Sequence, residues 1–258
     1  MPPDTFVAEL AYAKDQRQRR HAHEETTISI VLSGSLVERV AQTEEVARPL
    51  SVVVKPSGTE HENRFGPGGA RILQIRLASA LAARLRDWQS PVEHWRWMHG
   101  GPGVVPFLQV LRLLRHQETG GGHPIPDAVT EVIAALSSNP TKPNRSAPRW
   151  LELVREQIDD SHTRTPRVHA LAHAVHVHPV HLAREFRRYF GVSVTEYMQR
   201  RRVQHAAALL VDTRTSLSSL SYDAGFTDQS HFCRIFKRET GLTPVAFRQL
   251  VAARPTPQ

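Results

Sequence analysis

The hydrophobic pattern of the chain changes character along its length. From Phe6 to about Leu77, apolar residues come in short runs or alternate with polar ones, as in Arg71–Leu77, which is typical of half-buried strands. Turn signals such as Ser33-Gly34 separate these runs. Beyond Leu77 the apolar residues recur every three or four positions, the period of amphipathic helices. The pattern predicts an α+β protein with an N-terminal small β-barrel or sandwich, following helices, and an all-α C-terminal region.

A polar, proline-rich segment separates the two regions. Residues 137–148 (SSNPTKPNRSAP) have the composition of a linker. We therefore expect an N-terminal domain over residues 1–136, a linker over 137–148, and a C-terminal domain over 149–258. The helices before the linker would either provide a dimerisation face or cover the strands.

The C-terminal region contains a helix-turn-helix pattern twice, at an offset of fifty residues. In the second copy Gly225 suits a tight turn, Asp228 is a good N-cap, and Gly241 is a good helix stop. Such agreement indicates an internal duplication. Two units of this kind could enter two successive major grooves of DNA about 34 Å apart. The matched pairs are Ala174/Ala224, Leu182/Phe232, Arg184/Arg234, Phe186/Phe236, Arg188/Arg238 and Gly191/Gly241.

The second helix of each unit has an apolar face and a polar, basic face. Arginine can read guanine bidentately, and base contacts concentrate near the N-terminal end of a recognition helix. Basic residues further along suit phosphate contacts. The base-contact candidates are Val180, His181, Ala183, Arg184, Gln229, Ser230, His231 and Arg234, and the phosphate candidates are Arg187, Arg188, Lys237 and Arg238.

These residues resemble a known family. The double helix-turn-helix of residues 145–253 is similar to the DNA-binding domain of AraC/XylS-type transcriptional regulators. The resemblance implies binding to double-stranded DNA, a small-molecule effector, contact with RNA polymerase and a homodimer, mostly with activation of transcription. It is carried by Gly225-Phe226-Thr227-Asp228-Gln229-Ser230-His231-Phe232, Arg234, Phe236-Lys237-Arg238, Gly241, Thr243-Pro244 and Arg248.

A second resemblance concerns three histidines in the N-terminal region. His21, His23 and His61 fall where metal-binding cupin barrels have histidine ligands, but Thr27 stands at the position of the glutamate ligand. Three histidines and a water could still form an open metal site. Because proteins that share a fold often do not share chemistry, we favour an effector pocket whose mouth includes these histidines, with no metal and no cofactor.

Charge and cysteine usage agree with a DNA-binding protein. Residues 145–258 hold 17 Lys and Arg against 10 Asp and Glu, which accounts for +7 of the net charge of +8. A basic domain beside a nearly neutral one suits a reader of nucleic acid joined to a module with another task. The single cysteine, Cys233, allows no internal disulfide and fits the cytoplasm. No run is long enough to cross a bilayer, and Met1–Tyr12 lacks the pattern of a signal peptide, so no membrane contact is expected.

Two other functions are open to the sequence. One is a metal-dependent cupin enzyme, with His21, His23 and His61 as its centre, fused to a nucleic-acid-binding domain. The other is a non-specific nucleic-acid binder. The duplicated helices, whose outer faces differ between the two units, favour a sequence-specific regulator that is not an enzyme.

Overall fold

The computed structural model describes residues 5–86, 92–117, 125–137, 147–161, 166–212 and 215–252, which form seven strands and ten helices. The strands are β1 Thr5–Tyr12, β2 Arg17–His21, β3 Thr26–Val40, β4 Thr43–Ala47, β5 Ser51–Lys55, β6 His61–Leu77 and β7 Arg96–His99. The helices are α1 Ser79–Arg86, α2 Val104–Gln117, α3 Ile125–Ser137, α4 Arg149–Asp160, α5 Val168–Ala174, α6 Pro179–Phe190, α7 Val194–Asp212, α8 Leu217–Asp223, α9 Gln229–Thr240 and α10 Pro244–Ala252. Among these ranges, no helix combines the length and the apolar character needed to span a bilayer.

The strands form one antiparallel sheet built on two long strands. The strand order is β1-β6-β3-β5-β7, with β2 added to β6 and β4 added to β3. The first half of β3 pairs with β5 and with the end of β6, and its second half pairs with β4 and with the start of β6. The register shifts twice along β3, between Val31 and Ser33 and between Gly34 and Leu36.

The expectation of a small closed barrel made of short strands needs correction. Within the described residues β1 and β7 lie at opposite ends of the strand order and the sheet is open. Gly34 lies inside the 15-residue strand β3 and does not end it. Its φ of 72° is in the left-handed region, and a side chain there would collide with the backbone of Gly69 in β6. The shifts at this point act as bulges, which bend a strand while allowing it to continue.

Helices α2 and α3 pack on the sheet and on each other. Phe107 and Leu111 of α2 and Val132 of α3 are completely buried and belong to the same hydrophobic core as Ile28 and Val52 of the sheet. These helices therefore cover the apolar side of the sheet. The predicted linker lies largely outside the described residues, which resume at Ala147 shortly before α4.

The two helix-turn-helix units have different relations to the rest of the chain. The first unit and α4 share a core of their own, with Leu151, Leu171 and Phe186 completely buried. The core of the second unit, with Phe232 and Phe236, is continuous with the core of the sheet and α2. The second unit is thus joined to the N-terminal region through buried apolar contact, which the sequence pattern did not indicate.

Candidate nucleic-acid interface and sensor cavity

Helices α6 and α9 begin and end in the same way. The side chain of His178 accepts a hydrogen bond from the backbone N–H of Val180 at the start of α6, and Pro179 occupies the first turn. At the start of α9, Asp228 Oδ1 accepts from the N–H of His231 at 2.7 Å. Gly191 and Gly241 end the two helices in the left-handed conformation, with φ of 74° and 73°. The caps predicted from the sequence at Asp228 and Gly241 are confirmed.

The turns before these helices differ by one residue. In the second unit Gly225 adopts a φ of 79°, directly after the C-cap Ala224. In the first unit the residue directly after the C-cap Val175 is His176, with a φ of 55°. The match of Ala174 with Ala224 was therefore wrong, because the first turn is one residue shorter and the offset of fifty holds only from α6 onward.

Exchanging the residue types at these turns should change stability in opposite directions. Gly225→Ala should destabilise the chain by about 1–2 kcal/mol, because a side chain is strained in the left-handed region. His176→Gly should stabilise it by about 0.5–1 kcal/mol, since relief of that strain exceeds the extra backbone entropy lost on folding. Urea unfolding of both variants would measure the effects, and a loss of stability in His176→Gly would contradict the reasoning.

The structure places the proposed DNA-contacting side chains on the outer faces of α6 and α9. Eleven of them are exposed and His231 is half-buried. Val180, at 68% exposure, is the most exposed of the large apolar side chains in the described residues. The exposed residues are Val180, His181, Ala183, Arg184, Arg187, Arg188, Gln229, Ser230, Arg234, Lys237 and Arg238.

The two recognition faces differ in how much free positive charge they present. Glu185 is buried to 9% exposure and accepts hydrogen bonds from Arg184 and Arg188, each at 3.3 Å. The second unit has Ile235 at the matching position. There Arg238 pairs with Glu239 at 2.7 Å, but among the described residues neither Arg234 nor Lys237 pairs with a carboxylate. Sequence reasoning missed Glu185, although an acid on the apolar face of α6 was a visible signal.

His181 has a second contact that constrains it. Its ring stacks on Trp150 of α4, with the ring centroids 5.5 Å apart, and its Nδ1 lies 3.3 Å from Arg184 Nη2. Helix α4 therefore supports the N-terminal end of the first recognition face.

A cavity of about 100 Å³ lies inside the N-terminal sheet. Aromatic and aliphatic side chains form most of its wall, including Tyr12, Phe65 and Trp97. Two of its buried polar atoms, the Ser29 hydroxyl oxygen and Asn63 Oδ1, have no hydrogen-bond partner among the described residues. A mostly apolar cavity with a few unsatisfied polar groups is the usual form of a small-molecule site.

One side of this cavity is formed by a buried charged cluster. Lys55 Nζ donates to Glu38 Oε2 at 2.9 Å, and Glu38 Oε1 accepts from the ring N–H groups of Trp95 and Trp97 at 2.7 and 3.1 Å. The glutamate is thereby fully satisfied. Sequence reasoning missed this cluster, although a lysine at the end of the apolar run Ser51–Lys55 was the available signal.

The three predicted effector-site histidines come together beside this cluster. One ring nitrogen of each of His21, His23 and His61 lies within 4.8 Å of the others. His61 is buried, and its Nε2 lies 3.1 Å from Lys55 Nζ. Burial and the neighbouring Lys55 ammonium lower the pKa of His61 to about 4, and the same two causes lower the pKa of His23. Both changes favour the neutral imidazole.

The sheet contacts the C-terminal helices through polar groups as well. Glu45 of β4 accepts from Arg155 of α4 at 3.1 Å and lies 3.4 Å from His99 Nε2 of β7. Gln204 of α7 donates to the carbonyl of Pro49 at 3.2 Å and to Ser51 Oγ at 3.0 Å. The N-terminal region is thus hydrogen-bonded to α4, which packs on the first unit, and to α7, which joins the two units.

Comparison with known proteins agrees with this geometry. Residues 171–250 match the family model described as a helix-turn-helix domain. The chain is 32% identical over 111 residues to the bifunctional transcriptional activator/DNA repair enzyme AdaA of Bacillus subtilis, covering 43% of this chain and 53% of AdaA. It is 26% identical over 186 residues to the HTH-type transcriptional activator RhaR of a Salmonella strain, covering 69% of this chain and 66% of RhaR.

The chain therefore spans about half to two thirds of the length of these curated relatives. Among solved structures, ToxT of Vibrio cholerae aligns over 97% of this chain and 99% of its own, with 12% identity and a TM-score of 0.42. The helix-turn-helix match and the relatives identify residues 171–250 as a DNA-binding region similar to those of transcriptional activators. These matches agree with the resemblance of residues 145–253 to AraC/XylS-type regulators.

Proposed function

We propose that this protein is an effector-responsive transcriptional activator that reads two successive major grooves with α6 and α9. The observation that carries the proposal is the repeated construction of these helices, each with a capped start, a left-handed glycine stop, a buried apolar face and an exposed basic face. A recognition helix of this kind suits the major groove. The names of AdaA and RhaR, both transcriptional activators, support activation as the outcome.

The proposed roles follow from exposure and position. Near the start of each helix, base contacts fall to Val180, His181, Ala183 and Arg184 in the first unit and to Gln229, Ser230, His231 and Arg234 in the second. Phosphate contacts fall to Arg187, Arg188, Lys237 and Arg238. Because Glu185 holds two arginines of the first unit, we expect the second unit to supply more of the electrostatic affinity.

Replacing Arg234 or Lys237 with alanine should separate base reading from phosphate binding. Arg234→Ala should cost about 1–3 kcal/mol of discrimination at one base pair, since a bidentate guanine contact is lost. Lys237→Ala should weaken binding to all sequences alike and make it less sensitive to salt. Competition binding on an operator and its single-base variants measures both. Equal losses on every sequence for both variants would contradict the assignment.

The N-terminal region is proposed to sense an effector within a cupin-like fold. The cavity beside Ser29 and Asn63, with His21, His23 and His61 at its side, is the proposed effector site. The contacts of Glu45 and Gln204 with the C-terminal helices would let a ligand bias DNA binding. A division into domains at residues 1–136, 137–148 and 149–258, a homodimer, and contact with RNA polymerase stay predictions.

The decisive test is selection of bound sequences from a random duplex library with the full-length protein at physiological salt. The proposal expects an asymmetric motif with two elements about one helical turn, or 34 Å, apart. Binding without any recovered motif, in the full chain and in residues 145–258 alone, would instead indicate a non-specific binder.

A further inference from the structure

Three segments that are separate in the sequence bring three imidazoles together. His21 ends β2, His23 lies in the connection to β3, and His61 begins β6. Their ring centroids are 4.3 to 5.2 Å apart, and the nearest ring nitrogens lie within 4.8 Å of one another. His23 is exposed and lines the cavity, and His61 is buried against Lys55, so the cluster lies between the surface, the cavity and the buried lysine.

Backbone carbonyls orient two of the three rings. His21 Nδ1 donates to the carbonyl of Arg19 at 2.8 Å, and His61 Nδ1 donates to the carbonyl of Thr59 at 2.9 Å. Because a carbonyl only accepts, each Nδ1 carries the proton and each Nε2 carries a lone pair. Histidines that bind metals are held in this way, with the second ring nitrogen donating to a carbonyl or carboxylate.

The ring nitrogens of the three histidines converge and require a positively charged partner. In this structure the Lys55 ammonium is that partner for His61. Its Nζ donates to His61 Nε2 at 3.1 Å while it also donates to Glu38. Among the described residues, neither His21 nor His23 accepts a hydrogen bond from a lysine. The ammonium therefore satisfies one imidazole of three.

A buried hydroxyl beside the cluster also lacks a partner. Thr27 lies directly opposite Lys55 in the register of β3 and β5, so the two side chains share one face of the sheet. The Thr27 hydroxyl oxygen is buried and makes no hydrogen bond among the described residues. A buried hydroxyl without a partner, on the same face of the sheet as Lys55, is accounted for if a hydrated ion completes the site.

We propose that His21, His23 and His61 together bind one divalent transition-metal ion of the zinc type, which replaces the Lys55 ammonium at His61. Three imidazoles suit such ions and leave a coordination position open. Lys55 and His23 both line the cavity, so this open position is next to it. The site revises the expectation of an effector pocket without a metal.

A continuous series of contacts leads from the site to the DNA-binding region. Lys55 is bonded to Glu38, which holds Trp97 of β7. Beyond β7, Gly101 lies against Arg200 of α7, since a side chain at Gly101 would approach the Arg200 guanidinium within 2.9 Å. Release of Lys55 from His61 would therefore act on the strand that touches the helix between the two units. The role of the ion as a signal rests on the proposed function, whereas the site itself does not.

Zinc and cobalt binding to the full-length protein tests the site without DNA. We expect one Zn²⁺ per chain by elemental analysis, and a visible absorption band on adding Co²⁺ that Zn²⁺ abolishes. His23→Ala removes an exposed ligand at little cost to folding and should weaken binding at least about tenfold, because even outer-shell partners contribute that much. His94→Ala, an exposed histidine outside the cluster, is the matched control and should bind like the original protein.

Lys55→Gln tests separately whether the metal ion replaces the Lys55 ammonium at His61. The amide still donates to Glu38 but carries no charge to oppose the ion, so Zn²⁺ affinity should rise. No Zn²⁺ or Co²⁺ binding by the original protein, or equal binding by His23→Ala and His94→Ala, would overturn the site. Operator affinity measured with and without Zn²⁺ then tests the signal, and an affinity that Zn²⁺ leaves unchanged would overturn that role while the DNA-binding function stands.

Discussion

Replacing Phe236 with alanine is expected to lower the free energy of unfolding by about 3–5 kcal/mol, the usual cost of removing a buried aromatic ring. Phe236 is completely buried and contacts the rings of Phe232 and Phe247, with centroids 5.5 and 5.3 Å away. Because its core continues into the sheet and α2, the damage should reach the N-terminal region as well. Amide hydrogen exchange should therefore become faster in α2 as well as in α9.

Phe186→Ala is the matched control in the first unit. Phe186 is equally buried but belongs to the separate core of the first unit and α4. Its loss should be of similar size, but faster exchange should be limited to α4, α5, α6 and the start of α7. If Phe236→Ala and Phe186→Ala accelerated amide exchange in α2 equally, the separation of the two hydrophobic cores would not limit how far the damage spreads.

The second large effect is expected at Glu45, where the sheet meets α4. Burial opposes the charge of Glu45, but the hydrogen bond from His99 and the Arg155 guanidinium outweigh it and lower the pKa of Glu45 from 4.5 to about 2. That difference corresponds to about 3 kcal/mol of stability at neutral pH. Glu45→Gln should therefore lower the free energy of unfolding at pH 7 by roughly 2–3 kcal/mol.

The pH dependence follows from the direction of this change. The folded pKa is lower than the unfolded one, so the stabilisation is complete above about pH 4.5 and is lost as the pH falls toward 2. In Glu45→Gln the free energy of unfolding should therefore depend less on pH between about pH 4.5 and pH 2. Glu44→Gln, a neighbour whose side chain is 43% exposed, is the control and should change stability by less than about 1 kcal/mol. A variant curve that falls as steeply as the original would contradict the role of Glu45.

Both predictions concern the junction between the sheet and the C-terminal helices. The second unit is joined to the sheet by buried apolar contact, and the first unit by the Glu45–Arg155 ion pair through α4. An ion pair is more easily exchanged than a hydrophobic core.

The amino-acid sequence alone determined the local features of this protein. The helix caps at Asp228 and Gly241, the apolar faces of α6 and α9 and their exposed basic residues depend on neighbours three or four positions away. The duplication made these features visible twice, and they were sufficient to indicate a DNA-binding regulator. The three histidines could be singled out from their motif, although their chemistry could not.

Only the tertiary structure decided how distant segments combine. The open sheet depends on β3 and β6 continuing through bulges, where local turn signals indicate an end. Lys55 and Glu38 are 17 residues apart. Glu38 lies in the half of β3 that pairs with β4 and β6, so it meets Lys55 of β5 only because β3 bends at its bulges. The fusion of the second unit's core with the sheet likewise depends on long-range packing between faces that are each apolar. Hydrophobic periodicity shows that a face is buried, but the partner of that face is chosen by the packing of the whole chain.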